Sequence, residues 1–280
     1  MRVAIIGMGA IGRVVEKALT GRVDLVRIDR TKAPLRSGGG TPVDAVIVCV
    51  KTQGTAWAAT VAAQIVGREG VAITIQNGLG NYETIVAALG ERRAAVGVIY
   101  VGARLDEHGA LHATGPGRVE LGRPMGTASA RALEALAKAL ADGGMTVSVV
   151  DDAWASVWRK VATNAAVNPT TALLGYTNAE LLADVAGSRV ADGLASEVAR
   201  VATAAGVAMA DDEARRWWRE MAQLTGANRS SMLQDVQSGR PTEVDAICGA
   251  VHREGERRGV AAPLNQAMTV LVSALAPGRA

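Results

Sequence analysis

The sequence predicts an α/β chain, with a doubly wound parallel sheet in its first half and helices alone in its second. Two patterns carry this. From residue 3 to residue 150, short β-branched runs alternate with segments of helical spacing. Beyond Asp151 those runs stop, and long Ala/Leu/Val patterns of helical period take over. The 280 residues are enough for two domains. The expected division is 1–150, an α/β domain, and 151–280, a helical domain.

Residues 3–6 are apolar and too few for a helix, so they read as a buried strand. Gly7-Met8-Gly9-Ala10-Ile11-Gly12 follows at once, and residues 13–19 have helical spacing. Strand, GxGxxG and helix in this order form a Rossmann-like fingerprint. Gly7 allows the tight turn, Gly9 lets backbone N–H groups approach a pyrophosphate, and Gly12 lets helix and strand pack closely. The helix N-terminus then faces the anion with its partial positive charge. A second strand, 24–28, ends in Asp29-Arg30. A carboxylate there accepts the ribose 2′-OH of NAD, whereas an arginine, here with Lys32 nearby, attracts the 2′-phosphate of NADP. Residues 31–43 are a Gly/Pro-rich loop. The β-branched run 44–50 fits the interior of a parallel sheet, and it delivers Lys51 to the ligand side. Helix 56–66, strand 71–75, helix 81–89 and strand 95–101 continue the alternation. Strands and turns fill 102–121, and a helix at 128–140 precedes a last strand at 146–150. His108 and His112 fall among these turns and are read as turn and surface residues, not catalysts.

In the second half, helices are expected at 154–168, 179–186, 188–206, 211–223, 231–237, 242–258 and 265–275. Thr177-Asn178 with Glu180 resembles a cap, and Gly206 and Gly259 close two helices. Pro169 should end or kink the first. Of the adjacent Trp217 and Trp218, about 100° apart on a helix, one is expected in the core and the other at a groove or interface.

Composition narrows the function. Hydrophobic residues are 49% and charged residues 20%, so the chain is globular. There is no Phe, and the core must be built from small and branched aliphatics. The net charge is +3, and the pairs Arg92-Arg93, Arg215-Arg216 and Arg257-Arg258 are scattered, which argues against a nucleic-acid face. Cys49 and Cys248 sit in apolar surroundings without metal spacing, as reduced thiols of a cytosolic protein would. Three glycines break the apolar N-terminus, unlike a signal peptide. The uncharged run 161–179 contains Asn, Thr and Pro, unlike a membrane span. A soluble, cytoplasmic protein is expected. Spare apolar helix faces are compatible with a homodimer without requiring one.

Candidate chemistry centres on 154–168, WASVWRKVATNAAVN. Lys160, Asn164 and Asn168 are four residues apart and share a helical stripe about 80° wide. One cation at the edge of an uncharged, Asn-rich run has two readings: an ammonium and amides aimed into a pocket, or a solvated helix lysine with capping asparagines. Two further stretches join it. In 228–234, Ser231 and Gln234 have capping-box spacing. In Pro241-Thr242-Glu243, Thr242 has the character of a cap.

Taken together, these pieces resemble the ketopantoate reductase (2-dehydropantoate 2-reductase) family over nearly the whole chain. The resemblance rests on GMGAIG (7–12), VCVK (48–51), QNGLG (76–80), WRKVATNAAVNPTTAL (158–173), SSMLQDVQSGRPTEVD (230–245) and GVAAPLN (259–265). It implies a Rossmann domain and a helical domain with the active site in the cleft between them. It also implies reduction of 2-dehydropantoate to (R)-pantoate with NADPH, on the route to pantothenate and coenzyme A. By resemblance, Lys160 is the catalytic lysine and Glu243 the acidic residue beside nicotinamide and substrate. Asn164, Asn168, Asn178, Asn228 and Ser231 take substrate contacts, and Asn77 faces substrate and nicotinamide. Gly7 to Gly12, Arg30, Lys51 and Ala103 take cofactor contacts. Lys160 would donate the proton as general acid. The segment between Arg30 and Asp44 is short for this family, and Asp29 adjoins Arg30; NADPH is the expected cofactor, with NADH left open. Two other readings stand beside this one: a reductase of another small 2-oxo acid on the same fold, and an NADP(H)-binding regulator without catalysis.

Overall fold

The computed structural model describes residues 1–30 and 41–275. Lys32 and most of the 31–43 loop lie outside that range. Two compact units divide the described chain. One comprises Met1–Gln76 with Gly80–Ala153; the other comprises Trp154 onward together with Asn77–Leu79.

The first unit is built on β1 (Arg2–Ile6), α1 (Ala10–Leu19), β2 (Asp24–Ile28), β3 (Val43–Val48), α2 (Thr55–Ile65), β4 (Val66–Thr74), α3 (Asn81–Leu89) and β5 (Ala94–Tyr100). After them come β6 (Ala103–Leu105), β7 (Leu111–Ala113), β8 (Arg118–Gly122), α4 (Thr127–Asp142) and β9 (Thr146–Val150). Seven strands form one sheet in the order β2-β1-β3-β4-β5-β8-β9. From β2 to β5 every pairing is parallel. Alternate residues supply its two faces. Val3, Ile5, Ile47 and Ile73 pack with Val15 and Leu19 of α1 and with Leu133, Leu136 and Leu140 of α4. Ala4, Ile6, Val46 and Val48 pack with Ala58, Ala59 and Ala62 of α2 and with Ile85 and Leu89 of α3. Strands covered on both faces need the unbroken apolar runs seen in the sequence.

The sheet departs from a wholly parallel one at a single step: β8 runs antiparallel to β5. A parallel neighbour requires a crossover, usually a helix. No helix lies between β5 and β8, only the β6–β7 hairpin, in which Ala103 pairs with Ala113. The helix α4 then returns the chain to β9, parallel to β8. His112 belongs to the hairpin, with Nε2 2.8 Å from Asp106 Oδ2, which is the surface role expected of it.

The second unit is helical: α5 (Trp154–Leu174), α6 (Asn178–Ala183), α7 (Val185–Ala204), α8 (Asp211–Leu224), α9 (Ser231–Gln237), α10 (Ala250–Arg258) and α11 (Pro263–Ala274), with a π-helical turn at Asp245–Gly249. Thr177 caps α6 in a full capping box with Glu180. Trp218 is fully buried, its Nε1 donating to Asp192 Oδ1 at 3.0 Å, while Trp217 is half-buried under the Arg159 guanidinium at 4.8 Å.

Pro169 does not end its helix. α5 continues to Leu174, although proline cannot donate to the Ala165 carbonyl. Residues 165–172 are buried, and the helix packs along α7, α8 and α9. The next two hydroxyls fold back on the helix, Thr170 Oγ1 to Ala166 O and Thr171 Oγ1 to Val167 O, both at 2.8 Å. Burial along the whole length outweighs one missing hydrogen bond. Among the described residues, no helix is long and apolar enough to cross a membrane.

Candidate functional site

In the first unit the chain order reverses about β1, with β2 on one side and β3 on the other. Ligands of open α/β sheets bind at such a switch point, outside the carboxyl ends of the strands. The glycine turn stands there. A Cβ on Gly7 would meet Val50 N at 2.6 Å, and one on Gly12 would meet Gly7 O at 2.0 Å. Both positions therefore need glycine for close packing. A Cβ on Gly9 would meet nothing within 4 Å, which leaves room for an incoming group over the turn. Among the described residues no side chain caps α1, which leaves its first N–H groups to an anion. Met8 and Ile11 are half-buried and pack against the core on the α1 face of the sheet. These residues fit a pyrophosphate.

Arg30 is exposed at the end of β2, with its guanidinium 5.8 Å from the centre of the Trp57 ring. That stacking partner on α2 escaped the sequence reading. Lys51 follows β3 and precedes the turn Thr52–Gly54. Ala103 packs on the core from the start of β6. Burial pushes the Cys49 thiol up to about 12 and raises the Cys248 thiol as well, so neither is a thiolate nucleophile near neutral pH.

The second unit gathers the other candidates. Burial pulls the Lys160 ammonium down from 10.5 to about 8, and the charge of Glu243 pulls it part of the way back. The Nδ2 of Asn77 donates to Glu243 Oε2 at 3.3 Å. Lys160, Glu243 and Asn77 thus form one electrostatically linked group, although their sequence positions span 166 residues. Asn164 is half-buried and Asn168 is buried on the Lys160 stripe of α5.

Thr171 continues that stripe. It lies 11 residues beyond Lys160, about 20° away around the helix. Its Oγ1 is 2.7 Å from Ser230 Oγ. Ser230, not Ser231, is the N-cap of α9: its Oγ accepts the Leu233 N–H at 3.1 Å. The capping-box spacing from Ser231 was misleading, because Gln234 Nε2 donates instead to Arg229 O. Ser231 is the first helical residue and is exposed. Asn178 donates its backbone N–H to Asn228 O at 3.0 Å, which brings these two together. Its side-chain Nδ2 donates to Thr225 Oγ1 at 2.8 Å, and its buried Oδ1 has no partner among the described residues. The 11-residue interval could have revealed Thr171; the Ser230 cap was hidden by the adjacent serine.

Two family models cover most of the chain: ketopantoate reductase PanE/ApbA over residues 26–126, and its C-terminal counterpart over residues 152–276. The chain belongs to the ketopantoate reductase family. It is 34% identical to the 2-dehydropantoate 2-reductase of Halobacterium salinarum, over 82% of this chain and 75% of that one. It is 32% identical to the enzyme of the same name from Archaeoglobus fulgidus, over 99% and 98%. Among solved structures, the 2-dehydropantoate 2-reductase of Geobacter metallireducens superposes with a TM-score of 0.86 at 26% identity, covering 98% of this chain and 99% of that one. Membership makes the chain an oxidoreductase with a Rossmann-like first unit. The family match also spans the stretch 158–173, which carries the Lys160 stripe.

Proposed function

We propose that the protein reduces 2-dehydropantoate to (R)-pantoate with NADPH, and that Lys160 is the general acid. The observation that carries this is the Lys160–Glu243–Asn77 group. A buried ammonium with its proton held near 8 is poised to release it to an alkoxide near neutral pH.

A bound reduced nicotinamide would supply the hydride. The Gly7–Gly12 turn and the N-terminus of α1 hold its pyrophosphate, and Lys51 and Ala103 add contacts. Arg30, steadied by Trp57, takes a 2′-phosphate, which is why NADPH is favoured; Asp29 beside it keeps NADH in the test. As the carbonyl becomes an alkoxide, Lys160 stabilises the growing negative charge and delivers the proton to oxygen. Glu243 holds Lys160 charged until then, and Asn77 orients Glu243. The amides of Asn164, Asn168 and Asn228 and the hydroxyl of Ser231 bind the hydroxylated carboxylate without adding charge. Asn178 Oδ1, which lacks a partner among the described residues, accepts a substrate hydroxyl. The free thiols of Cys49 and Cys248 are consistent with a reducing cytoplasm. A homodimer is part of the same reading, with Val270 and Leu271 of α11 as exposed apolar candidates for the contact.

The test mixes the protein with NADPH and ketopantoate and follows the absorbance of the reduced cofactor. Turnover is expected. None at high enzyme concentration, with NADPH or NADH, sinks the proposal. Faster turnover of a different 2-oxo acid would reassign the substrate.

A further inference from the structure

The chain just after Glu243 has an unusual backbone. Asp245–Gly249 form a π-helical turn that runs on into α10. The N–H groups of Ala246 and Ile247 both donate to the Glu243 carbonyl at 3.1 Å, so the turn is anchored on Glu243 itself. Arg253 braces it, donating from Nη1 to Asp245 Oδ1 at 2.7 Å and from Nη2 to the Asp245 carbonyl at 3.0 Å.

The segment Asn77–Leu79 lies directly on this turn. The Leu79 N–H donates to the Ala246 carbonyl at 2.9 Å. Gly78 adopts φ +82°, and a Cβ there would stand 2.2 Å from that same carbonyl oxygen. Asn77, one residue earlier, donates to Glu243 Oε2. A π turn is wider than an α turn and is often found at functional sites. Here it offers a carbonyl to a donor from outside the helix.

We propose that Gly78 and the π turn together position the Asn77–Glu243 pair. The missing side chain at 78 lets the segment seat against the Ala246 carbonyl, and the Leu79 hydrogen bond locks it there. Asn77 is then held on the Glu243 carboxylate, one contact away from Lys160. Gly78 is a positioning residue, acting through Asn77 and Glu243. The extra residue of the π turn shifts the helical phase by about 100° relative to an unbroken helix, so Glu243 and the residues beyond the turn are aimed independently. This inference rests on Lys160 being the proton donor.

Two variants test it. Gly78→Ala places a methyl against the Ala246 carbonyl, and Leu79→Pro removes the N–H that bonds it. Where the alanine variant fails to fold, the proline variant still decides. Each is compared with wild type by thermal melting, by calorimetric affinity for ADP-ribose, which has no nicotinamide to touch Asn77, and by kcat across pH. The folded variants should bind ADP-ribose as wild type does. They should lose about 10- to 100-fold in kcat, the scale of a misplacement of about 1 Å. Their alkaline limb should move to lower pH, because Glu243 no longer holds its charge beside Lys160. A folded variant with wild-type kcat and an unmoved limb overturns the proposal, as does a loss of ADP-ribose affinity that matches the loss of kcat. A wild-type profile without an alkaline limb would instead sink the Lys160 reading, and the positioning role with it.

Discussion

Turnover should fall as pH rises through about 8, because that is where burial leaves the Lys160 ammonium. Half of the lysine is protonated at that pH, about a tenth one unit higher, and each further unit lowers kcat roughly tenfold. Glu243 raises the Lys160 value against the burial that lowers it. Glu243→Gln should therefore shift the limb to lower pH, with the residual rate rising again in acid. The assay is kcat at saturating cofactor and keto acid from pH 6 to 10, read from the absorbance of the reduced nicotinamide. Lys160→Ala should lower kcat by about 10²–10⁴, the usual contribution of a general acid, and erase the limb. A flat wild-type profile to pH 9.5, or a limb that moves upward in Glu243→Gln, would refute the assignment.

The same displacement has a signature in stability. A lysine near 10.5 unfolded and about 8 folded binds fewer protons in the native state between those values. Below pH 8 both states are protonated and the full penalty of the buried charge is present. It is relieved as pH rises from 8 and is gone above 10.5. The difference of about 2.5 units corresponds to at most about 3 kcal/mol. Urea unfolding of wild type against Lys160→Met, at pH 7 and at pH 10, isolates this group. The variant should have its largest advantage at pH 7 and lose most of it by pH 10.

Other expectations follow from particular contacts. Ser230→Ala removes the α9 cap and the tie to Thr171; it should cost about 1–2 kcal/mol and raise KM for the keto acid more than it lowers kcat, since Asn228 and Ser231 flank it. Gly12→Ala drives a methyl to 2.0 Å from the Gly7 carbonyl and should abolish calorimetric binding of the dinucleotide while the second unit stays folded by circular dichroism. Glu197 is buried and accepts the N–H groups of Leu264 and Asn265 and the Asn265 side-chain amide, each at 2.9 Å. Glu197→Gln should destabilise by about 2 kcal/mol in denaturant melts and leave kcat unchanged.

What could be read from the sequence was what local chemistry decides. The strand at Asp24–Ile28, the helix at Asn81–Leu89 and the strand at Thr146–Val150 have the bounds that periodicity gave, because turns flank each of them. The glycine turn was legible because all its requirements fall within six residues. What stayed hidden depends on partners far along the chain. The antiparallel β8 follows from a missing crossover helix, which no strand pattern reveals. α5 passes through Pro169 because α7, α8 and α9 bury it. Ser230 was mistaken for its neighbour because one hydroxyl faces Thr171, 59 residues away, and the other faces solvent. Lys160 and its stripe were visible as helical spacing, whereas the Asn77 contact to Glu243 and the π turn beneath it were not, since nothing local in VDAICG announces a π register.

On the proposed reading, the unfavourable features around Lys160 and Glu243 belong to one connected set of contacts. Gly109, Gly144, Gly175, Gly206 and Gly259 also have positive φ, but a Cβ on any of them would meet nothing within 4 Å. They turn the chain in the open, and only their own backbone demands glycine. Gly78 combines positive φ with a carbonyl 2.2 Å from where its side chain would be. The carbonyl belongs to the π turn, the turn is anchored on Glu243, and Glu243 acts on an ammonium that burial disfavours. Each of these is a local cost that the surrounding packing must overcome. Tight glycine contacts occur elsewhere too, at Gly7, Gly126 and Gly143. What sets the 77–79 and 243–249 segments apart on the proposed reading is that their contacts lead in unbroken steps to one carboxylate and one lysine.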